Sequence, residues 1–202
     1  MSESYRTVAD RGQARFEVRG SEFVGHIAPA DTVEAAESFI HSVREGHADA
    51  THNVPAYRVR ADPLRAWADD DGEPGGSAGK PALNVLTQEA LLNVVAVVTR
   101  YYGGTNLGVG GLARAYARGV KNSLDDAGVV ERRPQTRFAV DVAYDDSGTV
   151  RSVLESTGVT FDADYGAAVR FDVRVPETRA EAVRERIRSA TSGRATLRPS
   201  RE

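Results

Sequence analysis

The chain contains no cysteine, and this absence excludes a disulfide framework and thiolate chemistry. No run approaches the roughly 20 apolar residues that a membrane-spanning helix requires. Residues 1–15 are polar and mixed in charge, so we expect no signal peptide. Lysine is scarce as well, since only Lys80 and Lys121 occur among the 26 basic residues. These features predict a cytoplasmic protein that does not insert into a membrane.

The composition that remains is typical of a globular protein. Of the 202 residues, 41% are hydrophobic and 27% are charged, which is enough to build one large core or two small ones. The formal net charge is −3, so the chain as a whole is not attracted to nucleic acid. Any binding of nucleic acid therefore requires a local basic patch.

Two glycine-rich loops flank one apolar strand in the middle of the sequence. The first loop runs from Asp69 to Pro81, the strand covers Val94 to Val98, and the second loop extends from Arg100 to Gly111. A continuous apolar run of this kind is typical of a strand buried on both faces. Glycines at this density let the backbone approach a ligand closely or adopt positive φ. We therefore expect the functional site at these two loops.

The hydrophobic pattern predicts an α+β protein with two domains, 1–133 and 134–202. In the first domain we expect strands at 15–19, 23–27 and near 53–60. A helix should begin with the capping box of Asp31 and Glu34, another should cover 83–92, and a third should carry the apolar stripe that starts at Leu112. The second domain has the βαββαβ order of a ferredoxin-like fold. Its elements are predicted at 137–144, 147–157, 158–163, 168–175, 177–190 and 194–198.

Three catalytic motifs match the glycine loops in letters but not in context. Ser77 fits the G-x-S-x-G nucleophile elbow, yet the last histidine is His52, upstream of the serine rather than downstream. Gly79-Lys80 lacks the earlier glycine and the following Ser or Thr of a P-loop. Gly108 to Ala113 fits G-x-G-x-x-A, but the parallel strand–helix units of a dinucleotide fold are missing. No catalytic residue is assigned.

Two narrower interpretations remain at the second loop. The N–H groups of Gly108, Gly110 and Gly111 could hold an anion at a helix N-terminus, or these glycines could serve only to make a tight turn. Arg114, Arg118 and Lys121 recur at helical spacing. With Arg100 and Lys80 they could follow a phosphate backbone, or they could form a solvated helix face.

Metal binding is weakly indicated, so we expect no metal and no cofactor. The four histidines lack the paired helical spacing of a zinc site. The acidic group of Asp69, Asp70, Asp71 and Glu73 does not follow the calcium-loop pattern. The predicted open face of the second domain carries charged residues and no aromatic one, which disfavours the stacking of bases there. A protein partner remains an alternative for that domain.

The two loops together resemble the YigZ/IMPACT family over about residues 15–130. The matching segments are Gly20-Ser21-Glu22-Phe23, His52, Asp70-Asp71-Gly72-Glu73-Pro74, Gly79-Lys80-Pro81, Val97-Val98-Thr99-Arg100-Tyr101-Tyr102-Gly103-Gly104, Leu107-Gly108-Val109-Gly110-Gly111-Leu112 and Ala115-Tyr116. The resemblance implies an N-terminal domain with the fold of a ribosomal protein and elongation-factor domain IV. It also implies a ferredoxin-like C-terminal domain.

The resemblance further implies a role near translation, because eukaryotic members of the family are translation regulators. We therefore expect a cytoplasmic factor that acts as a binding protein rather than as an enzyme, with RNA or ribosomal components as partners. The residues expected to bind the ligand or RNA are Lys80, Arg100, Tyr101, Tyr102, Gly103, Gly104, Gly108, Gly110, Gly111, Arg114 and Arg118. The supporting polar residues are His52, Asp70, Asp71 and Glu73. The alternative is an enzyme or binding protein for a small phosphorylated ligand, in which His52, Asp71 and Glu73 would act as acid, base or Mg²⁺ ligands.

Overall fold

The computed structural model describes residues 4–61 and 63–199, which form two compact units. Tyr5–Arg132 make up the first unit, and residues from Arg133 onward make up the second. Both units combine helices with antiparallel sheets, so the predicted α+β class is confirmed. Among the described helices, none has the length and hydropathy of a membrane-spanning segment.

The first unit is built on a five-stranded antiparallel sheet with strand order β2-β3-β6-β4-β5. Two further strands, β1 and β7, pair with each other as a separate antiparallel ribbon. The strands are β1 Tyr5–Val8, β2 Gly12–Val18, β3 Ser21–Pro29, β4 His52–Val59, β5 Arg65–Ala68, β6 Val94–Tyr101 and β7 Val129–Arg132. The helices are α1 Val33–Gly46, α2 Gly79–Gln88 and α3 Gly108–Ala127.

Strand β6 is buried on both faces because helices cover the sheet on both sides. Val94, Ala96 and Val98 pack into the core formed with α2 and α3. Val95 and Val97 belong to a second core beneath α1. Successive strand residues point to opposite faces, so the continuous apolar run fills both cores. This arrangement places the two ends of β6, and the loop that follows it, at the edge of a three-layer structure.

Several element boundaries differ from the sequence prediction. Helix α2 begins at Gly79 and ends at Gln88, whereas the expected helix covered 83–92. The start of α2 depends on Asp70, which accepts a hydrogen bond from the Gly79 amide. Asp70 lies far upstream of the position directly before the helix, where a capping residue is normally found. Helix α1 is capped by Thr32, whose side chain accepts a hydrogen bond from the Ala35 amide, so Asp31 is not the cap. Strands β1, β5 and β7 were not predicted, since each has only four residues.

The second unit is a ferredoxin-like sheet with strand order β11-β8-β10-β9, in which all neighbours are antiparallel. Its elements are β8 Gln135–Val142, α4 Tyr144–Thr157, β9 Thr160–Tyr165, β10 Val169–Pro176, α5 Glu177–Ala190 and β11 Thr196–Pro199. The clean alternation predicted for the third strand is present: Phe171 and Val173 are buried, while Arg170, Asp172 and Arg174 are exposed.

The open face of the second unit is charged, and part of its charge is paired. Arg170 and Arg198 both lie within ion-pair distance of Asp141, at 3.5 and 3.6 Å. Arg174 pairs with Asp162 at the limit of 4.0 Å. These pairs are half exposed and contribute little to stability. They make the face polar and give it both signs of charge.

Candidate functional site

The residues of the two glycine loops line a pocket of about 540 Å³ at the start of α3. The pocket lies where the loop after β6 turns into the helix, next to the N-terminal end of β4. Its polar lining includes His52, Glu73 and Arg100, and its apolar lining includes Leu107 and Leu112. The remaining lining residues are Thr51, Pro74, Tyr102, Asn106, Gly108 and Val109.

Arg100 and Glu73 form a buried ion pair on one wall of this pocket. Arg100 Nη1 donates to Glu73 Oε1 at 2.7 Å, and Tyr116 Oη donates to the same oxygen at 2.7 Å. The guanidinium also lies 5.6 Å from the Phe23 ring centroid and 5.3 Å from that of Tyr102. Burial, together with the hydrogen bond to Glu73, raises the pKa of Tyr116, so this phenol remains a donor. The charge of Arg100 is thus balanced inside the protein.

His52 is held in a defined orientation beside this pair. Its Nδ1 lies 2.7 Å from the backbone oxygen of Asp71. Because a carbonyl oxygen can only accept, Nδ1 carries the proton and Nε2 faces the pocket. Nε2 lies 3.9 Å from Oε2 of Glu73. The site therefore presents one imidazole nitrogen and one carboxylate oxygen side by side.

Asp70 and Asp71 shape the first glycine loop and do not line the pocket. Asp70 accepts hydrogen bonds from the amides of Gly76, Ala78 and Gly79 at 2.6 to 3.0 Å. Burial alone would raise the pKa of Asp70, but these three amides outweigh it and lower that pKa. Asp71 accepts from the Asn53 amide at 2.6 Å and from Arg44 at 2.9 Å. Asp70 and Asp71 therefore hold the loop and the start of α2 in place.

The second glycine loop is anchored to the β2–β3 hairpin. Ser21 Oγ accepts from the Gly103 amide at 3.1 Å and from Arg100 Nη2 at 3.3 Å. Gly103 lies so close to the Gly20 backbone that a methyl group at this position would overlap the Gly20 carbonyl. Gly104 and Gly108 adopt φ values of +84° and +71°, which favour glycine. These glycines fix the path of the loop.

A cleft lined by three arginines lies on the other side of the first turn of α3. Arg19, Arg114 and Arg118 surround a space of about 300 Å³, and Leu107 lines both this cleft and the pocket. All three arginines are exposed, and Arg118 lies 4.4 Å from the Phe16 ring centroid. In the described ranges 4–61 and 63–199, no carboxylate lies within 4.0 Å of these guanidinium groups. Their positive charge is open to a ligand.

The structure separates the predicted site residues into groups. Arg100, Tyr102, Gly108, His52 and Glu73 line the pocket. Gly111, Arg114 and Arg118 lie at the arginine cleft, and Gly110 is on the same helical turn, close to Arg114. Tyr101 is on the opposite sheet face, where its hydroxyl lies 2.8 Å from His47 Nδ1. Lys80 is an exposed residue of α2 and lines neither space.

The prediction omitted three residues that the structure brings to the site. Arg19 belongs to the β2–β3 turn, where it adopts a φ of 48°, and nothing in its local pattern marks it. Ser21 and Tyr116 both belong to motifs of the family resemblance. Tyr116 lies in the apolar stripe of α3, a pattern that indicates a core residue. The pattern gives no sign that its hydroxyl donates to Glu73. Among the described residues, no cluster of three or more His, Asp or Glu side chains is suited to a metal ion.

The fold and the pocket define the class: a two-domain α+β protein with a pocket of mixed polar and apolar lining between glycine-rich loops, followed by a ferredoxin-like unit. The family model of the Impact N-terminal domain matches residues 19–124. The family model of a domain of unknown function, DUF1949, matches residues 140–194. The chain belongs to the IMPACT family, as its motifs predicted.

Relatives from two bacteria cover most of the chain. IMPACT family member YvyE of Bacillus subtilis is 36% identical over 199 residues, which is 98% of this chain and 92% of YvyE. IMPACT family member YigZ of Escherichia coli is 37% identical over 163 residues, which is 79% of this chain and 80% of YigZ. A crystal structure described as that of a hypothetical protein is 32% identical, covers 100% of both chains and has a TM-score of 0.74.

Proposed function

We propose that this protein is a cytoplasmic factor that acts in translation or its regulation by binding RNA, either free or in the ribosome. The observation that carries the proposal is the cleft of Arg19, Arg114 and Arg118, whose charges have no carboxylate partner among the described residues. Membership of the IMPACT family supports the link to translation. Phosphate groups are the ligands that arginine clusters of this kind recognise best.

The residues that we now propose for phosphate contact differ from those expected from the sequence. The guanidinium of Arg100 is 6% exposed and pairs with Glu73, so it shapes the pocket and does not reach outward. Arg114 and Arg118 remain available, and Arg19 joins them from the β2–β3 turn. The first turn of α3 has no capping side chain and no acidic residue, and its N-terminal amides favour an anion. We therefore assign phosphate contact to the cleft and this turn.

The test is the salt dependence of binding to a single-stranded RNA of mixed sequence, followed by fluorescence anisotropy. The variants Arg114→Gln and Arg118→Gln should each weaken binding and reduce the slope of log K against log salt by about 0.7. Arg6→Gln is a matched control, because Arg6 is an exposed arginine that already pairs with Glu89. Unchanged slopes in both cleft variants would contradict the proposal. Ribosome co-sedimentation at low and high salt should show the same dependence.

A second candidate is favoured by the pocket itself. A concave space of about 540 Å³ with a buried carboxylate and an oriented imidazole has the form of a small-ligand site. In this alternative the protein binds or converts a small phosphorylated ligand, with His52 as the acid or base and Glu73 as its partner. Thermal-shift screening against nucleotides and sugar phosphates tests it, because a ligand that binds the folded state raises Tm. Turnover that persists in His52→Phe would contradict the role of His52.

The charged sheet of the second unit is proposed as a surface for a protein partner. Its open face carries exposed Arg170, Asp172 and Arg174, and among the residues that the structure describes it has no aromatic side chain that could stack on a base. Both signs of charge alternate there, which suits a protein surface of matching pattern better than a phosphate backbone. Weaker association with ribosomal proteins in the variant Arg170→Glu, at unchanged RNA affinity, would support this role.

A further inference from the structure

Two hydrogen-bond acceptors face each other in the pocket. His52 Nδ1 donates to the Asp71 carbonyl, so this hydrogen bond selects the tautomer in which Nε2 carries the lone pair. Arg100 and Tyr116 both donate to Oε1 of Glu73, and Oε2 lies 3.9 Å from His52 Nε2. That distance is too long for a direct hydrogen bond. The two atoms are therefore arranged to receive a donor supplied from outside the protein.

The spacing of the two acceptors fits a hydroxyl group. Because 3.9 Å is less than twice a hydrogen-bond length of about 2.8 Å, one hydroxyl oxygen can lie near both His52 Nε2 and Glu73 Oε2, and its single hydrogen can be shared between them in a three-centre hydrogen bond. The side chain of Glu73 is only 3% exposed, so few other donors reach it. A buried carboxylate oxygen gains more from a donor than an exposed one does. The pocket thus selects a group that carries an O–H or N–H.

The surrounding charges decide between a hydroxyl and an ammonium group. The charge of Arg100 is balanced by Glu73, but the positively charged arginine cleft lies just beyond Leu107. A cationic ligand would be repelled by these positive charges, whereas an anionic chain that carries a neutral hydroxyl would be attracted to them. A phosphodiester has acceptors only, so it cannot satisfy His52 and Glu73 by itself. The ligand must combine a hydroxyl donor with nearby phosphates.

We propose that His52 Nε2 and Glu73 Oε2 share the hydrogen of a ribose 2′-hydroxyl of an RNA strand whose phosphates lie on the arginine cleft. The pocket then distinguishes RNA from DNA, because the 2′-hydroxyl is the group that DNA lacks. This inference rests on the RNA binding proposed above and names the residues that give it selectivity. Tyr102, which is 47% exposed at the rim of the pocket, offers a ring on which the adjoining base stacks.

The test compares three single-stranded oligonucleotides of one sequence by fluorescence anisotropy at low salt: RNA, 2′-fluoro RNA and DNA. The 2′-fluoro sugar keeps an RNA-like pucker but carries no donor. Wild-type protein should bind RNA about ten-fold more tightly than 2′-fluoro RNA, which is the scale of one hydrogen bond to a charged group. The ratio between the two affinities is the readout, because a general loss of binding leaves it unchanged.

Two variants assign the ratio to the pocket. Glu73→Gln replaces an acceptor with an amide, and His52→Phe keeps a planar ring without Nε2. Each should bring the ratio close to one while the protein retains its DNA affinity. His41→Gln is the control, since His41 is an exposed histidine of α1 outside the pocket. If the Tm shows that one variant fails to fold, the other variant and the wild-type ratio decide whether the pocket causes the selectivity.

The outcomes separate this inference from the proposed function. Equal wild-type affinity for RNA and 2′-fluoro RNA overturns the inference, yet it leaves RNA binding through the arginine cleft intact. A ratio that persists in folded Glu73→Gln and His52→Phe also overturns it, because selectivity then arises elsewhere. Absence of binding to all three oligonucleotides at low salt overturns both. A ten-fold ratio that is lost in the two variants and kept in His41→Gln supports the inference.

Discussion

Arg100 donates to Glu73 at 2.7 Å, and the two side chains are 6% and 3% exposed. This ion pair connects the second glycine loop, through β6, to the first glycine loop. Tyr116 of α3 donates to the same carboxylate and ties the helix to both loops. One carboxylate therefore holds together three segments that are far apart in the sequence.

Loss of either partner of this pair should destabilise the fold strongly. In Arg100→Met the buried carboxylate of Glu73 loses its counter-charge, and we expect a loss of about 3–5 kcal/mol in the free energy of unfolding. The double variant Arg100→Met/Glu73→Gln should lose less than the sum of the two single changes. Urea denaturation measures both. Arg188→Met is the control, because its ion pairs with Glu181 and Glu185 are exposed and its urea midpoint should not move measurably.

Asp70 should be essential for the start of α2. Asp70→Ala leaves the amides of Gly76, Ala78 and Gly79 without their acceptor, and we expect a loss of about 2–4 kcal/mol. The pKa of Asp70 is lowered in the folded state, so its contribution is present at neutral pH and disappears as the pH falls through that lowered pKa. Thermal unfolding at pH 7 and at pH 3 measures both effects. A wild-type advantage over Asp70→Ala that is equal at the two pH values would refute this account. Asp125→Ala, on the exposed face of α3, serves as the matched control.

Gly25 should tolerate no side chain, because α3 crosses β3 at this point. A methyl group at Gly25 would overlap the carbonyl oxygen of Gly119, which is backbone and cannot rotate away. We expect Gly25→Ala to cost about 3 kcal/mol or more, as overpacking does. Gly148→Ala is the matched control: Gly148 lies in α4 with open space around its Cα, and alanine should stabilise the helix by up to about 1 kcal/mol. Chemical denaturation of the two variants should therefore give opposite signs.

The stability of the protein should fall between pH 6.5 and pH 4 because of His26. Burial first, and then the neighbouring charges of His47 and Arg15, lower the pKa of His26 to about 4 from 6.5. The unfolded chain binds a proton in this window and the folded chain does not, so stability decreases as the pH falls. After allowance for solvent screening, we expect a loss of about 1–2 kcal/mol.

The variant His26→Gln isolates this contribution. It removes the titrating group, so its urea midpoint should fall less than that of the wild type between pH 7 and pH 4.5. His41→Gln keeps His26 and should follow the wild type. Parallel pH profiles for wild type and His26→Gln would show that other groups cause the loss.

The periodic segments of this fold are predictable from the sequence. The apolar run from Val94 to Val98 indicates a strand buried on both faces, and the structure places it in two cores. The βαββαβ order of the second unit follows from alternation and helical spacing in the same way. The short strands β1, β5 and β7 could not be predicted, because four residues carry no usable period and their partners are distant in sequence.

The candidate site, too, has features that the sequence predicts and features that it does not. By itself the sequence determined the family and the α+β class, because local motifs and periodic patterns carry that information. Only the tertiary structure decided what each side chain does there. Arg100 is neutralised by Glu73, Tyr101 lies on the far face of the sheet, and Arg19 joins Arg114 from a separate hairpin. Such pairings depend on long-range packing of the sheet against α3, which brings together residues that no local pattern connects.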